Sequence, residues 1–206
     1  MPLNIAVIYG SARSNRQGIK AAKFLVNKLK ERDYKVTLVD SQEFKLPFLD
    51  KMYKEYNGDA PENLEKLAQI IKKADGYIVV SAEYNHSIPA ALKNLIDYFM
   101  EEYFYKPSGI VTYSAGPFGG VRAAVHLRAI LGEVGTVSIP SMFTISKVQD
   151  SFDEDGNALD ESYNKRIKKF LDEFDWYAKA LKCARDKGDC KETITIQQEM
   201  CRIKSS

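Results

Sequence analysis

The chain has 206 residues, 45% hydrophobic and 28% charged. That is one domain's length with enough apolar material for a core, and it excludes a collagen-like or wholly disordered chain. A formal net charge of only +2 gives no general pull toward nucleic acid or an anionic membrane. No apolar run approaches the roughly 20 residues of a membrane span, and Leu3 to Tyr9 reads as a strand rather than a leader, so the expected location is the cytoplasm.

Strand and helix signals alternate along the chain. "LNIAVIYG" is a continuous apolar run, as expected of a strand buried on both faces. Gln17 to Glu31 then spaces Ile19, Ala22, Phe24, Leu25, Val26 and Leu29 as a helix does, between lysines. "YKVTLVD" is a second strand with Asp40 as its terminal residue, followed by a loop containing Leu46, Pro47, Phe48 and Leu49. Pro61 opens a helix through Leu64, Leu67, Ala68 and Ile71, which stops at Asp75-Gly76. "YIVVSAEYN" is the third strand, and Pro89 opens a helix carrying Ala91, Leu92, Leu95, Ile96 and Phe99. "SGIVTYSAG" is the fourth strand, and Gly120 to Leu131 a helix closed by Gly132. "TVSIP" predicts a short fifth strand, and a long amphipathic helix runs from Asp160 through Leu181. One domain over 1–183 is expected, with a charged and loosely ordered tail over 184–206.

Five strands separated by helices predict an α/β fold: a doubly wound, five-stranded parallel sheet with helices on both faces. Ligands in such sheets lie outside the carboxyl ends of the strands, where strand order reverses. That directs attention to 10–18, 82–88 and 114–120. In "YGSARSNRQG", backbone N–H groups at a helix start, the Ser11 hydroxyl and the forked charges of Arg13 and Arg16 suit a phosphate. The competing reading is a solvated loop that caps a helix. No lysine and second glycine fall in P-loop register, and Gly10 and Gly18 alone do not make a dinucleotide fingerprint.

In the second stretch Glu83, Tyr84 and Asn85 follow the strand end, where Tyr84 can stack on a planar ligand. His86 has no Ser or Cys nucleophile beside it, so it reads as orienting or solvent-facing. In the third, Gly116, Gly119 and Gly120 would let backbone approach a ligand, and Arg122 reads as a surface ion-pairing residue. The acidic stretch "DSFDEDGNALDES" is not a calcium loop, because serines stand at the first and last ligand positions. Cys183, Cys190 and Cys201 match neither a redox nor a zinc spacing; free thiols and no metal are expected. Tyr98, Tyr103, Phe104 and Tyr105 exceed what one core-facing stripe needs, and the surplus suits a surface buried against a second subunit.

Together these stretches resemble the NADPH-dependent FMN reductase family, flavodoxin-like proteins that include quinone, azo-dye and chromate reductases. The resemblance rests on Gly10, Ser11 and Arg13; on Glu83, Tyr84, Asn85, Pro89, Leu92, Lys93, Asn94, Ile96 and Asp97; and on Gly119, Gly120, Arg122, Ala123, Leu127 and Arg128. It covers roughly Leu3 to Leu181, with Ala82 where the family usually has proline. It implies that Ser11, Arg13, Arg16, Gln17 and Gly18 hold an FMN phosphate. Glu83, Tyr84 and Asn85 would line the isoalloxazine, and Ser114, Gly116, Gly119 and Gly120 would meet its far edge. It further implies NADPH or NADH as donor, a quinone-like acceptor (or an azo dye, a metal oxyanion or free flavin) and a homodimer or tetramer. No side chain is assigned a catalytic role, because the flavin carries the chemistry. A flavodoxin-type electron carrier and a flavin-dependent redox-sensing partner protein are the alternatives. Such carriers are usually strongly acidic, and the charge of +2 counts against the first.

Overall fold

The structure, a computed structural model, describes residues 2–188. Its strands are β1 (Asn4–Tyr9), β2 (Lys35–Asp40), β3 (Gly76–Ala82), β4 (Pro107–Tyr113) and β5 (Val137–Ile145). The helices are α1 (Gly18–Lys30), α2 (Ser41–Phe44), α3 (Glu62–Lys73), α4 (Ala90–Asp97), α5 (Val121–Glu133) and α6 (Glu161–Lys187). All pairings are parallel and the strand order is β2-β1-β3-β4-β5. The chain therefore winds outward from β1 to β2, then returns past β1 to lay down β3. Strand order reverses between β1 and β3, and the crevice opens above their carboxyl ends.

Two cores follow from the continuous apolar strands, since every residue of β3 and β4 is buried. On one face α1 and α6 press Phe24, Phe170 and Phe174 against Val7, Val80 and Val111. On the other, α3, α4 and α5 cover Ile8, Val79 and Ile110 with Leu67, Leu92 and Leu127. Each such side chain contributes about 1.5–3 kcal/mol by leaving water. Asp75 fastens α6 to the sheet at the end opposite the crevice: its carboxylate accepts from the Asn4 backbone N–H at 2.9 Å and from Lys182 Nζ at 2.9 Å.

Several elements differ from the sequence expectation. β5 runs to Ile145 rather than ending at Pro140. Proline stops a strand only where its missing N–H is needed, and β5 is an edge strand with Pro140 exposed at an irregularity in its pairing with β4. α5 passes through Gly132, and the chain turns instead at Gly135, where φ is 86°. α2 was hidden in the loop after β2. The aromatic surplus divides: Tyr98 and Tyr103 are each 1% exposed within the chain's own core, while Phe104 and Tyr105 are partly exposed. Tyr98 and Tyr77 carry their hydroxyls to the carbonyls of Pro47 and Ile71, whereas the buried Tyr103 hydroxyl has no hydrogen-bond partner among the described residues. α6 carries the backbone past the expected boundary at 183, to Lys187, and Arg185 donates to the Tyr105 carbonyl at 2.7 Å. Cys183 is exposed and free; Cys190 and Cys201, with the rest of the expected tail beyond Gly188, lie outside the described residues.

Candidate functional site

The first site loop leaves β1 at Tyr9 and enters α1 at Gly18. Among the described residues, its backbone N–H groups from Ser11 through Ile19 have no protein acceptor. A row of free donors at the head of a helix is an anion cradle, reinforced by the helix dipole. Ser11 is 1% exposed, and its Oγ lies 2.7 Å from the Tyr84 hydroxyl. Arg13 is exposed and makes no ion pair among the described residues; its guanidinium carbon stands 5.9 Å from the Tyr84 ring centre. It is the loop's available cation.

Arg16 is already engaged. Its guanidinium forms a two-pronged pair with the Asp40 carboxylate, with Nη2 to Oδ2 at 2.5 Å, and Nη1 also donates to the Ser11 carbonyl at 2.9 Å. Asp40 in turn accepts from the Gln42 backbone N–H at 3.0 Å, which caps α2. Gln42 Nε2 then donates to the carbonyls of Ala12 and Arg13 at 3.0 and 3.1 Å. The end of β2 thus clamps the loop's carbonyls from outside and leaves its N–H groups free. Asp40 and Gln42 were not singled out from sequence as site residues; the visible signal was an acid at a strand end directly before a short polar segment. Among the described residues the Gln17 side chain donates only to Asn15 Oδ1, at 3.1 Å, and so does not join the other site side chains.

The second loop is a tight turn. Tyr84 and Ser87 exchange backbone hydrogen bonds of 2.9 and 3.1 Å across Asn85 and His86, whose φ angles are 50° and 67°. Two positive φ values in succession mark a type I′ turn, for which asparagine is favoured and histidine is not. The His86 side chain is solvent-facing. Glu83 is held at the start of α5. Its carboxylate accepts from the backbone N–H groups of Arg122 and Ala123 at 3.0 and 3.3 Å, and Arg122 Nη1 lies at 3.5 Å. Glu83 therefore occupies the head of α5 and ties the second loop to the third.

The glycine pair in the third loop serves the fold's own packing. Gly120 has φ 81°, and a Cβ there would lie 2.9 Å from Thr112 Cβ and 3.0 Å from the Tyr113 backbone. Gly119 packs on β5 in the same way, whereas Gly116 has open space at its Cβ position. The Ser114 hydroxyl braces the loop, donating to the Gly116 carbonyl and accepting from Gly119 N–H, each at 3.0 Å. A cavity of about 650 Å³ abuts the first loop at Ala12, between α2, Phe48 and the start of α4 at Ala91.

These features define a flavodoxin-like α/β protein with a row of free backbone donors at its switch point. The chain matches the NADPH-dependent FMN reductase family over residues 3–150 and belongs to it. It is an oxidoreductase of the class that uses FMN with NAD(P)H as electron donor. Relatives include a 2-hydroxy-1,4-benzoquinone reductase from Burkholderia sp., 30% identical over 181 residues, 84% of this chain and 95% of that protein. An NADPH:quinone oxidoreductase from Arabidopsis thaliana is 36% identical over 57% of this chain and 62% of its own length. Among solved structures, a flavoenzyme NAD(P)H:(acceptor) oxidoreductase from Paracoccus denitrificans superposes with a TM-score of 0.71 at 28% identity. That alignment covers 86% of this chain and 98% of that one.

Proposed function

We propose that this protein passes electrons from NAD(P)H to quinones or similar flat acceptors, with the FMN phosphate held by the loop from Ser11 to Gly18. The row of free N–H groups at the head of α1 carries this reading, because it supplies donors that no protein acceptor uses. FMN, when bound, supplies hydride transfer at its N5. The chain's own part is binding and placement. Ser11 and Arg13 meet the phosphate, while Arg16, Asp40 and Gln42 hold the loop open from behind. The Tyr84–Ser87 turn offers backbone and the Tyr84 ring to the flavin, and Glu83 keeps that turn in register with the Gly119–Gly120 loop. The quinone acceptor is supported by the relatives from Burkholderia and Arabidopsis. Homodimerisation is supported by Phe118, Val121 and Val125, exposed apolar side chains grouped at the start of α5. A cytoplasmic location is part of the same reading.

The test is the visible spectrum of the purified protein, taken before and after NADPH is added without air. Stoichiometric bleaching of bound FMN, followed by recovery of the bands on adding a benzoquinone, is the expected result. Bound FMN that NADPH alone fails to bleach would leave an electron carrier. A protein that neither contains nor binds FMN would return the first loop to a helix cap.

A further inference from the structure

The cavity between α2 and the start of α4 is large enough for a second ligand beside FMN. Its volume is about 650 Å³, well within the range of small-molecule sites. It meets the first loop on the side away from the row of free N–H groups. Ala12 and Gln42 both line it, and Gln42 Nε2 donates to the Ala12 and Arg13 carbonyls at 3.0 and 3.1 Å. Carbonyl oxygens therefore mark this side of the loop, which does not suit the FMN phosphate. Ala90 and Ala91 line the cavity from α4, a few residues after the Tyr84–Ser87 turn that serves the flavin ring. The cavity thus adjoins the flavin site without being the phosphate cradle.

Its lining suits a flat molecule that carries negative charge. Phe44, Pro47, Phe48 and Leu95 supply apolar walls. Phe48 is 86% exposed, and an aromatic ring left in water at a cavity rim is a platform for another ring. Among the described residues that line the cavity, Lys45 alone is charged. Its ammonium makes no ion pair or hydrogen bond with any described residue. The acids nearest to it in sequence, Glu43 and Asp50, are not part of the lining, so its charge is unopposed there. Ser41 also lines the cavity, and its Oγ is buried without a hydrogen-bond partner among the described residues. Buried hydroxyls are ordinarily satisfied, and this one is left for a ligand.

We propose that this cavity receives the adenosine half of the electron donor, with the adenine on Phe48 and the 2′-phosphate on Lys45, and so makes the protein prefer NADPH to NADH. This rests on the reading above that NAD(P)H is the donor. The two dinucleotides differ only in that phosphate, so one unopposed cation at its position is enough to separate them. Ser41 is then the partner of a ribose hydroxyl. The nicotinamide, which carries the hydride, lies outside the cavity, and Lys45 sets specificity without touching the reacting atoms.

The experiment titrates the FMN-saturated protein, by calorimetry, with adenosine 2′,5′-bisphosphate and with adenosine 5′-monophosphate. These are the donor's adenosine end with and without the extra phosphate. The bisphosphate should bind wild type about tenfold more tightly, the size of one charge-assisted hydrogen bond. Lys45→Gln should bring the ratio close to one, and Lys45→Arg should keep it. Lys51→Gln, at an exposed lysine outside the lining, should also keep it. Phe48→Ala should weaken both ligands alike. The ratio of KM for NADH to KM for NADPH in quinone reduction should follow the same order across the variants. Equal binding of the two nucleotides by wild type overturns the inference, as does a Lys45→Gln protein that keeps the preference. A loss as large in Lys51→Gln or Lys45→Arg overturns it too, and so does a Phe48→Ala protein that binds both ligands as wild type does. If neither NADPH nor NADH bleaches the bound FMN, the donor reading fails and the inference with it; if they do bleach it, a negative titration removes the inference alone.

Discussion

Gly18→Ala tests the closest approach in the site. An ideal Cβ at Gly18 lies 2.0 Å from Tyr113 Cζ, 2.3 Å from its hydroxyl and 2.4 Å from Cε1. Carbon atoms rest at about 3.5–4.0 Å, so the ring would have to move by about 1.5 Å. It has little freedom to do so, because it is stacked on Tyr9 and hydrogen-bonded to it. Overpacking of this kind costs about 1–3 kcal/mol. Replacing a helical glycine returns at most about 1 kcal/mol, and less at the first residue of α1. The expected balance is a loss of about 1–2 kcal/mol, seen as a lower urea midpoint at constant slope. Tyr113→Leu removes the obstructing atoms, so in that background Gly18→Ala should be neutral or stabilising. The coupling between the two sites should then reach about 1–2 kcal/mol. A Gly18→Ala protein as stable as wild type would refute the argument, as would a cost that persists with leucine at 113.

Three further outcomes follow from the contacts around the site. Glu83→Ala removes the acceptor for the first N–H groups of α5 and should cost about 1 kcal/mol, with Glu83→Gln recovering part of it; thermal melts that coincide with wild type would show that the cap contributes nothing. Asp40→Ala leaves Arg16, only 14% exposed, without its counter-ion and should cost about 2–3 kcal/mol by calorimetry; a loss under 1 kcal/mol would mean that water replaces the carboxylate. Lys106 is 8% exposed, and burial lowers its ionisation from 10.5 to about 8. The unfolded chain therefore binds more protons between those values, so stability should rise with pH across that window. Relative to Lys106→Met, the wild type should gain as much as about 3 kcal/mol from pH 8 to 10.5. The gain is an upper figure, because the ammonium also donates to the Ile71 and Lys72 carbonyls at 2.9 Å each. A difference curve that is flat over that range would refute the assignment.

The parallel sheet was legible because β1, β3 and β4 are almost wholly buried and each is built on a short apolar run. The three site loops were legible because that topology dictates where loops can serve a ligand. What remained hidden depends on which side chain meets which across the sheet. Arg16 looks in sequence like a phosphate ligand; only the pairing of Tyr9 with Asp40 across β1 and β2 shows its partner beside it. The acceptance by Glu83 of the first N–H groups of α5 is likewise invisible in sequence. That the Cβ positions of Gly119 and Gly120 point at β5 and β4 also shows only in three dimensions. The aromatics near residue 100 exceed one core-facing stripe, but the core takes Tyr98 and Tyr103 all the same, with the Tyr98 hydroxyl on the Pro47 carbonyl.

Pro140 has an effect beyond lengthening the last strand. β5 is an outer edge of the sheet, and an open edge offers a template on which a strand from another chain can grow. Pro140 removes one amide donor from the middle of that edge, and the irregular pairing with β4 breaks its repeat. Sheet extension through this side is discouraged by construction. Continuous sheets between copies of the chain are thereby disfavoured, and the apolar side chains exposed at the start of α5 lie away from that edge's backbone.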